Sequence, residues 1–437
     1  MMYKKKTAAH PGSVGASLWN RAEKLRGEVD RADYQHALLT LVFLKWADVR
    51  YAARHLEMSR EGLGGFLDQA DFYNAENVFY LPEEGRWSSI AGGADTAARI
   101  DQALSAMAAC NPMLEGELPD RYFTALGLTA EQKTALLQLV DGQEATTFQE
   151  GTIGEVFDYL LDRFGTASSR TPACLVGLMV DLLEPLGGKL YDPCCGTGHT
   201  LVRSVDFARK QHGKYHDLRM YGQESAPATR WLARMSLSVH GVDARLGAAA
   251  ASVFGHDQHP EVAADYVLAH PPAGEDPYAW IQHVRTKLNE GGTAALMLAD
   301  RSLRSRESKA ATVRRRLLEE DVVDCLIALP ANLGCLWLLS HDKLAEHNTY
   351  QRDRPGETLF IQAESYGHSE LSQEAISRIA DTYHQWRDGR NDYEDVPGFC
   401  RSVTLAEIAG NDYDLSPNRY AAAPVEGERS GRLAQVE

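Results

Sequence analysis

The sequence predicts a doubly wound α/β sheet preceded by an α-helical region. Two observations carry that prediction. Up to about residue 150, apolar residues recur at helical spacing and few β-rich runs occur. Beyond it, short apolar runs alternate with helix-like segments, the pattern of buried, mostly parallel strands.

The elements follow in order. From Ala32 to Glu57, Leu38, Leu41, Val42, Trp46 and Val49 keep helical spacing, and Asp30 and Asp33 suit the positive end of that helix. Segments 95–109 and 128–140 also read as helices, with "NPMLEGELPD" between them as a loop broken by Pro112 and Pro119. The pattern changes after "EGTIGEVFDYLLDRFG". Strands are expected at Lys189–Asp192, Arg219–Gly222, Asp265–Ala269, Thr293–Ala299, Val322–Leu329 and Thr358–Ala363. Helices are expected at 174–184, 199–211, 226–239, 277–289, 307–319 and 371–386. The closing "AAAPVEGERSGRLAQVE" is small and polar, as in a flexible tail. The expected organisation is a helical domain at 1–150, an α/β domain at 151–420 and a tail at 421–437.

Composition narrows the function classes. A chain of 437 residues, 44% hydrophobic and 24% charged, fits a soluble globular protein of two or three domains. Cys110, Cys174, Cys194, Cys195, Cys325, Cys335 and Cys400 are scattered and form no C-x-x-C pair. A reduced compartment without a disulfide framework or a metal site is therefore expected. "MMYKKKTAAHPGSVGAS" is basic but lacks the apolar core of a secretory signal. "ALLTLVFLKWA" at 37–47 is too short for a bilayer and is interrupted by Lys45, so no membrane contact and a cytoplasmic location are expected. The net charge of −16 disfavours a chain that holds DNA alone through phosphate contacts. A basic footprint must be local or come from a partner. The local candidate is Arg301, Arg304, Arg306, Lys309, Arg314, Arg315 and Arg316; the plainer reading of that run is a solvated helix face.

The most informative stretch is "KLYDPCCGTGHTL". A strand ends at Tyr191 or Asp192, Gly196, Thr197 and Gly198 make a turn, and a helix starts near His199. Ligands of open α/β sheets bind at such strand ends, where glycines let the backbone come close. A dinucleotide fingerprint would need a third glycine, and Leu201 stands there. Asp192 would repel a pyrophosphate but suits an ammonium group. S-adenosylmethionine, with a cationic amino-acid end and no phosphate, fits better than a nicotinamide dinucleotide. Glu224, after the strand in "MYGQES", can accept from ribose hydroxyls or serve as a helix N-terminal carboxylate. Cys194 and Cys195 read as small packing residues of the turn.

These residues resemble the modification subunit of type I restriction–modification systems, within the N6-adenine DNA methyltransferases. The resemblance runs nearly end to end. It rests on "LWNRAEKLRGEVDRADYQHALLTLVFLKWADVR", "GRWSSI", "GTIGEVFDYLLDRF", "YDPCCGTGHTL", "YGQESAPATRWLARMSLSVHG", "DCLIALPANL", "ETLFIQAESY" and "LSPNRY". It implies a class I S-adenosylmethionine-dependent methyltransferase fold, a Rossmann-like sheet of seven strands, with an N-terminal helical domain. It implies a DNA substrate, a DNA-reading specificity subunit, and in some assemblies a restriction subunit or a second methylase subunit. Thr171, Asp192, Cys195, Gly196, Thr197, Gly198 and Glu224 are the implied cofactor-binding residues. His270, Pro271 and Pro272 occupy the catalytic motif.

The departures lie at the chemistry. The family motif is Asn-Pro-Pro followed by Phe or Tyr; here it is His270-Pro271-Pro272-Ala273. Arg170 stands before Thr171-Pro172 where the family usually has an aromatic. Ala248 occupies the region where a carboxylate would meet the cofactor's adenine. The chain after Pro272 enters "YAWIQHV" quickly, and "GCLWLLSHDK" replaces an expected aromatic-rich loop. The exocyclic amine of adenine is a weak nucleophile. An Asn oxygen and a backbone carbonyl normally accept its hydrogens while an aromatic ring stacks on the flipped base. A neutral His270 can accept one hydrogen bond, whereas Ala273 cannot stack. Losing the stack costs roughly 1–3 kcal/mol, and losing one transition-state hydrogen bond costs roughly 10²–10³ in rate. Two classes remain open: an active adenine methyltransferase completed by partners, and a methylase-fold subunit of a DNA defence complex that binds cofactor with impaired transfer. A glutamine N5-methyltransferase is disfavoured by the helical region.

Overall fold

The computed structural model of the protein describes residues 11–114, 116, 121–165, 171–212, 217–305, 307–330, 333–345, 352–366, 370–389 and 393–422. Arg170, Arg306 and the tail from 423 onward lie outside the described residues. The chain separates into two compact units. One comprises described residues up to 165 together with 196–199 and 224–251; the other holds 171–195, 200–223 and 252–422. These units do not coincide with a boundary at 150.

The first unit is built from helices. Its longer ones are α1 (Pro11–Arg26), α2 (Arg31–Arg60), α3 (Thr96–Cys110), α4 (Ala130–Asp141) and α5 (Thr152–Phe164). Asp30 starts α2 by accepting the amides of Ala32 at 2.8 Å and Asp33 at 3.2 Å, which satisfies two orphan donors. Ala37 to Leu44 are all buried, because α2 packs against α4, α5 and the later helix 227–239. A helix apolar on all sides belongs in a core. The sequence pattern did not anticipate α1, whose glycines weaken the helical signal. Gly15 has a packing reason: a Cβ there would lie 3.1 Å from the Tyr159 side chain of α5.

The second unit is built on eight strands in the order β2-β1-β4-β5-β7-β6-β8-β9, and a further two-residue strand, Ala244–Arg245, falls in the first unit. The strands are β1 (Gly188–Asp192), β2 (Leu218–Gly222), β3 (Ala244–Arg245), β4 (Ala264–Ala269), β5 (Leu288–Leu298), β6 (Val323–Ala328), β7 (Cys335–Ser340), β8 (Glu357–Gln362) and β9 (Cys400–Thr404). β2, β1, β4 and β5 run parallel, β7 is antiparallel to β5 and β6, and β9 is antiparallel to β8. The intervening helices are α6 (Ala173–Leu183), α7 (His199–His212), α8 (Pro227–Val239), which belongs to the first unit, α9 (Pro277–Lys287), α10 (Ser308–Glu319) and α11 (Gln373–Asp388). The doubly wound α/β class predicted from the sequence is the class found.

Six strands match the expected runs, and β3, β7 and β9 are additional. β3 has two residues and carries no pattern. β7 requires a correction: "GCLWLLSHDK" is not an altered site loop, since Cys335–Ser340 is wholly buried. Gly334 permits the turn before it, with φ +79° and only 2.4 Å from a notional Cβ to the Leu298 carbonyl oxygen. Trp337 fixes the strand by donating from Nε1 to Ser302 Oγ at 3.0 Å.

The chain order explains where ligands can meet this sheet. It builds β1 and β2 towards one edge, then returns to place β4 on the other side of β1. That reversal makes the carboxyl ends of β1 and β4 a topological switch point.

Candidate active site

Asp192 is the last residue of β1 and is 2% exposed. Its Oδ1 accepts the Cys194 amide at 3.1 Å, which shapes the turn that follows. Its carbonyl accepts the Gln223 amide at 2.9 Å, and Cys195 N–H donates to the Gln223 carbonyl at 2.9 Å. The turn after β1 is thus tied by backbone bonds to the end of β2. Cys195 is buried, as expected of a packing residue.

Gly196 and Gly198 both adopt positive φ, +55° and +81°. Their surroundings differ. A Cβ on Gly196 would meet nothing within 4 Å, whereas one on Gly198 would lie 3.2 Å from Leu237 Cγ of α8. Gly198 is therefore required by packing and backbone, while Gly196 leaves room beside its backbone. Thr197 lies between them, half-buried. α7 begins at His199, directly after the turn.

Glu224 lies just beyond β2. Its Oε2 accepts the Gly196 amide at 3.1 Å, and its Oε1 accepts the Ala226 amide at 2.8 Å at the start of α8. This carboxylate stabilises a helix entrance, as in the helix N-terminal reading, and also holds the glycine turn. A carboxylate has about four lone-pair positions, which leaves acceptor capacity for a ribose. Ala248 follows β3 and brings no carboxylate.

His270 follows β4 and Asp192 ends β1, and these strands are parallel neighbours. His270 Nδ1 lies 2.7 Å from Thr171 Oγ1. The ring keeps an exposed face, yet protein atoms crowd it enough that desolvation pushes its pKa below the ordinary histidine value. It is neutral at physiological pH. The sequence placed Thr171 with the cofactor and did not anticipate this bond. Nothing in sequence spacing could have shown it, since the residues lie 99 positions apart.

Pro271 and Pro272 continue the turn, and Ala273 follows. α9 starts at Pro277 with Asp276 accepting the Tyr278 amide at 2.9 Å. Four residues therefore separate Pro272 from the helix. Glu275 is committed inside this turn: its Oε2 accepts from Trp280 Nε1 at 2.5 Å and its carbonyl from Arg301 at 2.9 Å.

The basic run at 301–316 is not a free stripe. Arg314 is 4% exposed and donates to the Tyr278 hydroxyl at 2.8 Å and the Tyr413 carbonyl at 3.2 Å. Arg315 lies over the Tyr413 ring and Arg316 pairs with Glu320. Among the described residues no cluster of metal-ligating side chains occurs, and no helix is long and apolar enough to cross a membrane.

Comparisons with known proteins agree with this geometry. The family model described as N-6 DNA Methylase matches residues 149–278 and 271–429, and that of the HsdM N-terminal domain matches 14–142. The Type I restriction enzyme HindI methylase subunit of Haemophilus influenzae is 30% identical over 392 residues, covering 78% of this chain and 84% of that protein. The MjaIX methylase subunit of Methanocaldococcus jannaschii is 25% identical over 490 residues, covering 94% and 84%. The fold is shared with the methyltransferase subunit of a type I restriction–modification system from Streptococcus thermophilus. That structure has a TM-score of 0.76 at 21% identity, covering 94% of this chain and 99% of its own. A chain solved in work on assembly and conformational transition of the type I R-M system gives a TM-score of 0.65 at 18% identity, covering 96% and 94%. The fold is thus that of a methyltransferase sheet joined to a helical region, and the chain belongs to the N-6 DNA methylase family, among the methylase subunits of type I restriction–modification systems.

Proposed function

We propose that this subunit binds S-adenosylmethionine and works within a DNA-modifying, anti-phage assembly, with its own methyl transfer to adenine N6 impaired. The observation that carries the reading is the turn after β4. His270 engages Nδ1 with Thr171, and Ala273 stands where a ring would stack on the base. The short path into α9 leaves no inserted loop there to supply the missing ring.

The residues after β1 and β2 fit the cofactor. Gly196 has open space beside a backbone of positive φ. Asp192 offers a carboxylate suited to the ammonium group, and Glu224 one suited to ribose hydroxyls. Thr171, Cys195, Thr197 and Gly198 complete the proposed binding set. When bound, S-adenosylmethionine supplies an electrophilic methyl group. This chain's part is to orient an amine beside it and to accept the amine's hydrogens. His270 can accept one, and Ala273 does nothing to hold the base plane.

In this reading residues up to about 150 form a partner-facing module, 151–420 the methylase module and 421–437 a tail. The partners are DNA, a specificity subunit and a restriction or second methylase subunit. The net charge of −16 and the committed arginines of 301–316 support DNA binding through such partners. Seven free cysteines support a cytoplasmic location. A second reading, an active site-specific methyltransferase completed by a partner, is favoured by the neutral state of His270.

Titration calorimetry with S-adenosylmethionine on the full chain tests the cofactor half. We expect weak binding that disappears in Gly198→Trp. No heat at millimolar cofactor contradicts the proposal, and so does unchanged binding in the variant. Methyl incorporation by the purified chain tests the other half, with none expected.

A further inference from the structure

We infer that Thr171 is a positioning residue for His270. It allows the ring to carry its proton on Nδ1 without losing a hydrogen bond, so that Nε2 becomes an acceptor for the exocyclic amine of a nucleobase. The inference deepens the preceding proposal and rests on its reading of the turn after β4 as the amine-facing part of the site.

The geometry comes first. Thr171 Oγ1 and His270 Nδ1 are 2.7 Å apart. Each residue precedes a proline, Pro172 and Pro271, so each backbone is restricted before any ligand arrives. Thr171 leads into α6, which packs over β4 and β5, and β4 carries His270 at its end. The two side chains are thus held by elements that are themselves packed together. Among the described residues the ring makes this one hydrogen bond.

The chemistry follows from the donor and acceptor inventory. A neutral imidazole has one N–H and one lone-pair nitrogen. If Nε2 carries the proton, the ring presents a donor and repels an amine. If Nδ1 carries it, Nε2 presents an acceptor. A threonine hydroxyl is both donor and acceptor and can rotate, so it satisfies Nδ1 in either tautomer. Valine at 171 would satisfy neither, and the Nδ1–H form would then leave a crowded N–H unpaired. Thr171 therefore keeps the acceptor form available, and an amine ligand selects it. The family's Asn needs no such partner, because its amide oxygen is always an acceptor.

The test uses the full chain, labelled with ¹⁵N-histidine and assembled with the partners that bring it to DNA, and a single-stranded oligonucleotide carrying one adenine, or purine in its place. Purine lacks the amine. We expect adenine, and not purine, to move His270 towards the Nδ1–H pattern of imidazole nitrogen shifts. The adenine oligonucleotide should bind about fivefold more tightly, the worth of one neutral hydrogen bond. Thr171→Ser should keep both effects, and Thr171→Val should lose both. An equal response to the two bases, no response to either, or an unchanged response in Thr171→Val overturns the inference. Calorimetry with S-adenosylmethionine on the same samples reads the earlier proposal separately. Wild-type protein that binds S-adenosylmethionine without separating adenine from purine overturns the Thr171–His270 inference alone.

Discussion

The turn after β1 and the turn after β4 leave neighbouring parallel strands at the same edge of the sheet, yet they are held in different ways. The first keeps Asp192, Gly196, Thr197 and Gly198, and its residues are held by several backbone bonds. The second keeps only its prolines. The difference teaches which features a fold enforces. Gly198 is demanded by positive φ and by Leu237 pressing on it, whatever the protein does. Nothing in the packing demands Asn at 270 or an aromatic at 273; only chemistry would. A turn that serves the fold is fixed by packing, while one that serves a reaction is fixed only by its chemistry.

The largest effect should come from breaking the preserved turn. Gly198→Trp is expected to weaken S-adenosylmethionine binding at least about 100-fold, or about 2.7 kcal/mol, read by calorimetry. Glu224→Ala should weaken it about tenfold, since charge-assisted hydrogen bonds to ribose hydroxyls would be lost. A variant that binds as the wild type does would remove Glu224 from the cofactor set.

Two smaller effects probe the second turn. His36, His259, His270 and His283 are all held below the ordinary histidine pKa by burial. In the folded state they bind fewer protons than in the unfolded chain, so stability rises with pH there and falls as pH drops below about 6.5. Each buried group contributes a slope of at most about 1.4 kcal/mol per pH unit, and the exposed His270 contributes less because solvent screens it. Denaturation between pH 7 and 5 should show this loss, and His270→Gln should show slightly less of it. An acid-insensitive wild type would contradict the neutral assignment. The smallest effect is expected from restoring the motif. His270→Asn with Ala273→Phe should raise methyl transfer by less than about tenfold, because each restored group acts only on a well-held base. Strong activity in the double variant would mean that the short turn before α9 was adequate.

Much of this was legible in the sequence. The alternation of apolar runs and helices gave six strands, because buried parallel strands leave a continuous apolar signature. The glycine turn was legible because backbone constraints write themselves into residue type. β3 and β9 were not, being a two-residue pair and an edge strand with polar residues. β7 was misread because Cys335–Ser340 was taken for a site loop, and six consecutive buried residues without a flanking cue do not declare their pairing. The Thr171–His270 bond joins residues 99 positions apart, and sequence spacing carries no trace of it.

The central claim is that cofactor binding and methyl transfer are separated in this subunit. It is tested most directly by purifying the protein with the partners that bind it, supplying S-adenosylmethionine with a labelled methyl group, and measuring label in adenine of unmodified DNA alongside cofactor retained on the protein. We expect retained cofactor and no label above background. Label in adenine that disappears with His270→Ala would contradict the claim and establish the turn after β4 as a working catalytic site.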